Sequence, residues 1–126
     1  MSNLAVLILM MFFHIVDDYY LQGILASMKQ KQWWEKQSNY SDKYENDYIV
    51  ALFMHSFSWA FMIMLPLAIF CKFNLGWFYL AYPINTIIHA LVDDLKANRN
   101  KLNLFQDQLI HYVQIFITYC LFVILL

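Results

Sequence analysis

Four long apolar stretches alternate with short polar ones along this chain. Residues 3 to 16 carry no charge, and the apolar character resumes after Asp17 and Asp18 as far as Ala26. Residues 48 to 71, 73 to 92 and 108 to 126 are also free of charge. Each run is close to the ~20 residues that cross ~30 Å of hydrocarbon. A soluble amphipathic helix would show a polar face every 3.6 residues, and these runs do not. Nor do they alternate as barrel strands would. The pattern predicts an all-α fold, an integral membrane four-helix bundle. Its spans are expected at about 3–26, 48–71, 75–96 and 104–126, in a single transmembrane domain covering 1–126. Pro66 and Pro83 fall inside spans two and three, where membrane helices tolerate proline. Residues 27–47 read as an amphipathic interfacial loop, because GILASMKQKQWWEKQ (23–37) mixes apolar, aromatic and basic side chains. The first span lacks the basic start and small-residue cleavage site of a signal peptide, so it is expected to remain.

Loop charges suggest an orientation. Loop one carries Lys29, Lys31, Lys36 and Lys43, and loop three carries Lys96, Arg99 and Lys101. Loop two carries only Lys72. The positive-inside rule then places loops one and three in the cytoplasm and both termini on the outer side.

Composition narrows the class. Hydrophobic residues reach 62% and charged residues only 13%. Mean hydropathy is +0.49. A net charge of -1 offers no field for gathering nucleic acid. Two Cys exclude a disulfide framework.

The polar residues inside the apolar runs carry the candidate chemistry. The four His of the chain are His14, His55, His89 and His111, one per span. Three of them have an Asp four positions away: His14 with Asp18, His89 with Asp93, and His111 with Asp107 in reverse order. Residues at i and i+4 share a helix face. Counted inward from the cytoplasmic ends of the spans, the Asp fall in one layer and the His in a second. The layers are about 6 Å apart at ~1.5 Å per residue. A charged Asp in hydrocarbon costs at least ~2.5–3.5 kcal/mol. Asp17, Asp18, Asp93, Asp94 and Asp107 together need compensation, and Lys96 is the one cation within the spans close enough to help.

A divalent metal is the simplest compensation. Imidazole and carboxylate suit zinc first, and also iron or manganese. The expected ligands are His14, Asp18, His55, His89, Asp93, Asp107 and His111. Seven donors exceed the usual four of zinc, so either two ions bind or some Asp orient His rings. Asp17 and Asp94 sit beside ligand Asp without a His partner and are candidate general bases. Gln22, Lys96 and Gln108 lie close enough to orient ligands or substrate. Ser56 and Ser58 flank His55 without a nucleophile elbow. Asn85, Gln114 and Thr118 suggest helix packing. A metal-free polar network gluing the bundle is the competing structural reading.

HIVDDYYLQ near the start, a lone His in span two, HALVDDLK in span three and DQLIH in span four resemble the family filed as domain of unknown function 3307. These are small membrane proteins of bacteria and their phages. The resemblance implies a multi-pass protein of the bacterial inner (host-cell) membrane. A looser, purely chemical likeness is to membrane-bound metal-dependent hydrolases.

Three functions follow as expectations. The first is a metal-dependent hydrolase acting on a lipid or amphipathic substrate at the cytoplasmic leaflet. The second is a metal-ion or proton transporter or channel. The third is a small regulatory membrane protein, phage-derived in one version, with a structural His/Asp core. The expected partners are membrane lipids and the lipid-like substrate, with a symmetric homo-oligomer left open.

Overall fold

Apolar side chains cover the outside of this molecule and polar ones fill part of its inside. The computed structural model describes residues 2–71 and 75–125. Helix α1 (Asn3–Val16) starts at Ser2, whose hydroxyl accepts from the Ala5 amide at 3.3 Å. It runs on as a π-helix, Asp17–Leu21. Two short helices follow, α2 (Leu25–Met28) and α3 (Lys31–Glu35). Helix α4 (Asp47–Phe70) and helix α5 (Leu75–Ala97) are the longest. Helix α6 (Leu104–Tyr119) begins with a capping box between Asn103 and Gln106, and π-helix Cys120–Leu125 extends it. No strand occurs among the described residues.

The four long helices pack in a ring. Helix α4 packs on α1 and α5, and α6 closes the ring against α5 and α1. Each is long and apolar enough to cross a membrane: Asn3–Leu21, Asp42–Phe70, Leu75–Ala97 and Leu104–Leu125. Phe12, Phe53, Phe57, Ile84, Phe105, Phe116 and Ile117 stand exposed on the outside. A soluble monomer rarely exposes so much contiguous apolar surface. Inside, the ring is divided lengthwise. Met10, Ile63, Met64, Leu67 and Ile115 fill one half, and the buried His and Asp fill the other.

Span one ends earlier than the expected Ala26. Gly23 adopts φ +51, a left-handed conformation that glycine takes without steric cost and that stops the helix. Just before it, the π-turn widens the helix, closed by the Gln22 amide on the Asp17 carbonyl at 3.1 Å. Asp17 and Asp18, three and four residues after His14, are both buried on its side of the helix.

Loop one is folded, not extended. The Trp34 indole donates to the Met28 carbonyl at 2.7 Å and its ring stacks on Tyr44. Asn98, just past α5, ties the loop down. Its Oδ1 accepts from the Lys31 amide at 2.7 Å, and its Nδ2 donates to the Lys29 carbonyl at 3.1 Å. Two lost hydrogen bonds are worth about 2 kcal/mol locally. Asn98→Ala should therefore raise hydrogen-exchange rates in residues 28–36 roughly tenfold or more, while amides in the middle of α4 stay as protected as in the wild type.

Candidate metal centre

Four histidine rings and four carboxylates meet between the long helices. His14, His55, His89 and His111 are each fully buried. Their rings form a contact chain: His14 to His111 at 5.6 Å, His111 to His89 at 4.3 Å, and His89 to His55 at 5.1 Å between centroids. The i, i+4 pairs face one another. His14 Nδ1 is 3.4 Å from Asp18 Oδ2, His89 Nε2 is 3.7 Å from Asp93 Oδ2, and His111 Nε2 is 3.3 Å from Asp107 Oδ1.

Contacts between helices bring the pairs together. His55 Nε2 and His89 Nε2 lie 3.2 Å apart. Asp93 Oδ2 is 3.4 Å from the first and 3.7 Å from the second. Donor atoms about 2.0–2.1 Å from a tetrahedral ion stand about 3.3–3.4 Å from one another. This triangle is therefore the size of one face of a zinc-like tetrahedron. Asp18 Oδ1 also approaches both nitrogens, at 3.2 and 3.7 Å. The other oxygen of Asp93, Oδ1, turns away to His111 Nε2 at 3.3 Å, and His111 in turn meets Asp107. Asp93 thus stands between two ligand groups with one oxygen toward each. His55, His89 and Asp93 form one buried group that could hold a metal ion, and Asp93, Asp107 and His111 form another.

Unsatisfied atoms favour a cation here. Asp18 Oδ1 and Asp107 Oδ1 are buried without a hydrogen-bond donor. Such oxygens are costly in a low-dielectric interior unless a positive charge meets them. Both belong to groups whose donor atoms could take an ion.

Not every expected ligand is available. Both nitrogens of His14 are engaged. The Trp59 indole N–H donates to Nδ1 at 2.7 Å, which fixes the proton on Nε2, and Nε2 then donates to Gln108 Oε1 at 3.0 Å. His14 belongs to no metal-compatible group among the described residues. Its Nδ1 stands 3.4 Å from Asp18 Oδ2 with no proton between them, so His14 flanks Asp18 without bonding it. Asp17 is fully buried, accepts from Ser58 Oγ at 2.6 Å and lies 3.7 Å from His55 Nδ1. It also stands with Asp18 and His55 in a group that could hold an ion. Asp94 is not brought to the cluster. It accepts from Arg99 Nε at 2.8 Å and from Asn98 Nδ2 at 2.9 Å, on another face of α5.

The three flanking polar residues divide similarly. Lys96 Nζ donates to Asp107 Oδ2 at 2.8 Å. Gln108 bridges, accepting from His14 and donating to Asp107 Oδ2 at 3.1 Å. The Gln22 side-chain amide donates to the Asp18 backbone carbonyl.

Two residues of the site were not expected. Lys29 reaches from loop one to Asp93 Oδ2 at 2.6 Å, so the buried carboxylates have a second compensating cation. Trp59 is fully buried among the rings. It stacks on His89 at 4.1 Å and 17° and meets His14 edge-on at 5.7 Å. A signal for it exists in the sequence. His55 is the His without an Asp partner at four residues' spacing, and Trp59 occupies the i+4 place. Lys29 leaves no such local signal.

Beyond the His layer, Asn85, Gln114 and Thr118 form a smaller network. Gln114 Nε2 donates to Asn85 Oδ1 at 2.9 Å, and Asn85 Nδ2 donates to Thr118 Oγ1 at 3.1 Å. These bonds join α5 to α6 in the way expected of polar residues between membrane helices. No protein-family model, curated protein or solved structure matches the chain.

Proposed function

We propose that this is a membrane-embedded, metal-dependent hydrolase acting on a lipid or other amphipathic substrate at the cytoplasmic leaflet. The observation that carries the reading is the buried triangle of His55, His89 and Asp93 at ligand spacing, with Asp93 shared by a second group at His111 and Asp107. The donor set suits zinc, with iron or manganese as alternatives, and either one or two ions. An ion held there supplies Lewis acidity, polarising a substrate oxygen and lowering the pKa of water toward ~7.

The protein's own groups have separable tasks. His55, His89, His111, Asp93 and Asp107 hold the ion or ions. Ser58 holds Asp17 beside His55, and Trp59 with Gln108 holds the His14 ring beside Asp18. Asp18 keeps an oxygen free of donors at the cluster, which suits it to accept a proton from attacking water. Asp94, held by Arg99, is left to anchor the end of α5.

Loops one and three face the cytoplasm in this reading. The four segments that carry the resemblance to the small bacterial and phage membrane-protein family are also those that supply the cluster, and membership in that family is part of the proposal.

The Asn85, Gln114 and Thr118 network favours a second reading, a metal-ion or proton transporter, because it extends polarity beyond the His layer. Met10, Ile63, Met64 and Leu67 are sealed against it at 0–1% exposure, and the hydrolase is preferred.

The test uses the full chain reconstituted in nanodiscs. The metal-loaded wild type should hydrolyse at least one class among glycerolipid esters, lipid amides and lipid phosphoesters. His89→Ala should lower that rate by ~100-fold or more. Absence of turnover on every class, together with metal-dependent flux in liposomes, would establish the transporter instead.

A further inference from the structure

A polar pocket opens onto the cluster at the level where the spans end. Its volume is about 350 Å³, and Gln22, Lys29, Gln30, Asp93, Lys96 and Asn100 line it. Candidate spans one and three finish at Leu21 and Ala97. Gln22 and Lys96 therefore place the pocket mouth at the membrane surface, at the depth of lipid phosphates. Asp93 lines it and also belongs to two of the groups that could hold an ion, so a molecule seated in the pocket lies against the centre.

The two lysines face this space from different elements. Lys29 comes from loop one and Lys96 from the last turn of α5. Each is bound to a carboxylate of the metal centre, Lys29 to Asp93 at 2.6 Å and Lys96 to Asp107 at 2.8 Å. The same carboxylates are in the groups that could hold an ion. An ion and a lysine compete for Asp93 Oδ2, because that oxygen also faces His55 and His89. Four carboxyl groups, Asp17, Asp18, Asp93 and Asp107, gather here against two ammonium groups, Lys29 and Lys96, and each divalent ion adds two positive charges to that set. Loading the centre therefore frees the Lys29 ammonium, leaves Lys96 on Asp107 Oδ2 with N–H donors to spare, and weakens the field that would repel an anion.

We infer that the pocket lined by Lys29 and Lys96 binds the phosphate group of the substrate once the centre is loaded. The inference rests on the metal reading above and names the substrate class. A phosphate monoester or free phosphate has at least three terminal oxygens, enough to meet both ammonium groups and the metal side together. A carboxylate or a phosphodiester, with two, has one fewer than the three partners. Gln30 and Asn100 add amide donors at the rim.

The experiment measures metal content by mass spectrometry and phosphate binding by titration calorimetry on the same preparations of the full chain in detergent. The probes are inorganic phosphate, dihexanoyl phosphatidic acid, and dihexanoylglycerol as the phosphate-free control. The metal-loaded wild type should bind both phosphates and not the control. Tighter binding of the lipid identifies a headgroup as the natural ligand, and equal binding identifies free phosphate. Lys29→Gln and Lys96→Gln should each weaken binding about tenfold, as loss of a charge-assisted hydrogen bond does, while metal content is unchanged. Metal without phosphate affinity, affinity unchanged in both variants, or metal lost from them overturns this inference alone. A folded wild type that holds no metal overturns the metal reading and this inference together.

Discussion

Asp93→Ala should leave the purified protein with less than about a tenth of the metal carried by the wild type. No other carboxylate here has each oxygen turned to a different ligand group: Oδ2 faces His55 and His89, and Oδ1 faces His111. Its removal takes a donor from both. A ligand atom on a preorganised ion contributes far more than a neighbouring orienting group, whose loss typically costs 10–100-fold in affinity. The variant also leaves Lys29 without its partner at 2.6 Å. Lys29 sits beside the pocket and its flexible stem can carry the ammonium toward water, so the bundle should survive. Asp93→Asn separates shape from charge. It keeps the volume and one carbonyl oxygen but removes the anionic bridge, and metal content should fall nearly as far. Retention of full metal by Asp93→Asn, measured by mass spectrometry on protein with wild-type helicity, would remove Asp93 from the ligand set.

The two Asp doublets show what a sequence can and cannot convey about such a site. HIVDD and HALVDD look alike, and in both the i+4 spacing correctly puts one Asp below its His, because that relation lies within a single helix. The other member of each doublet, Asp17 or Asp94, behaves differently. On α5 the helix is regular, adjacent residues point about 100° apart, and Asp94 turns away to Arg99. On span one Asp17 and Asp18 are both buried. The spacing distinguishes the two cases, since Asp17 lies three residues from His14 and shares its face, whereas Asp94 lies five residues from His89 and does not. Span lengths were legible for the same local reason, since charge-free runs mark them. The early stop of span one depended on one left-handed glycine, which a composition window does not see. Lys29 illustrates the other limit. Its partner Asp93 is far along the chain, and only the folding of loop one under Asn98 brings them together.

His14 shows how an inferred ligand becomes a supporting group, and it leads to the second large effect. Trp59 fills the space between the polar and apolar halves of the core and touches His14, His89 and His111. Trp59→Ala should destabilise the bundle by about 3–5 kcal/mol, the usual cost of a large cavity where the ring was packed. Loss of the ring also leaves His14 Nδ1 without its 2.7 Å donor. The two contributions separate in Trp59→Phe. Phenylalanine keeps most of the packing, so its stability loss should be much smaller, while the indole N–H is gone. His14 then loses the bond that holds its proton on Nε2, and the other tautomer becomes accessible. That tautomer would donate from Nδ1 to Asp18 at 3.4 Å and break the link to Gln108. Asp18 would bear a hydrogen bond on Oδ2, and Gln108 would no longer be held between His14 and Asp107. Metal affinity in Trp59→Phe should consequently fall by about 10–100-fold with the fold intact, as for other orienting groups. Chelator competition reads that change, and thermal unfolding in detergent reads the stability of both variants. A Phe variant with wild-type affinity would make Trp59 a packing residue alone. Weakened affinity in a bundle that melts with the wild type would instead place the indole among the groups that tune the centre.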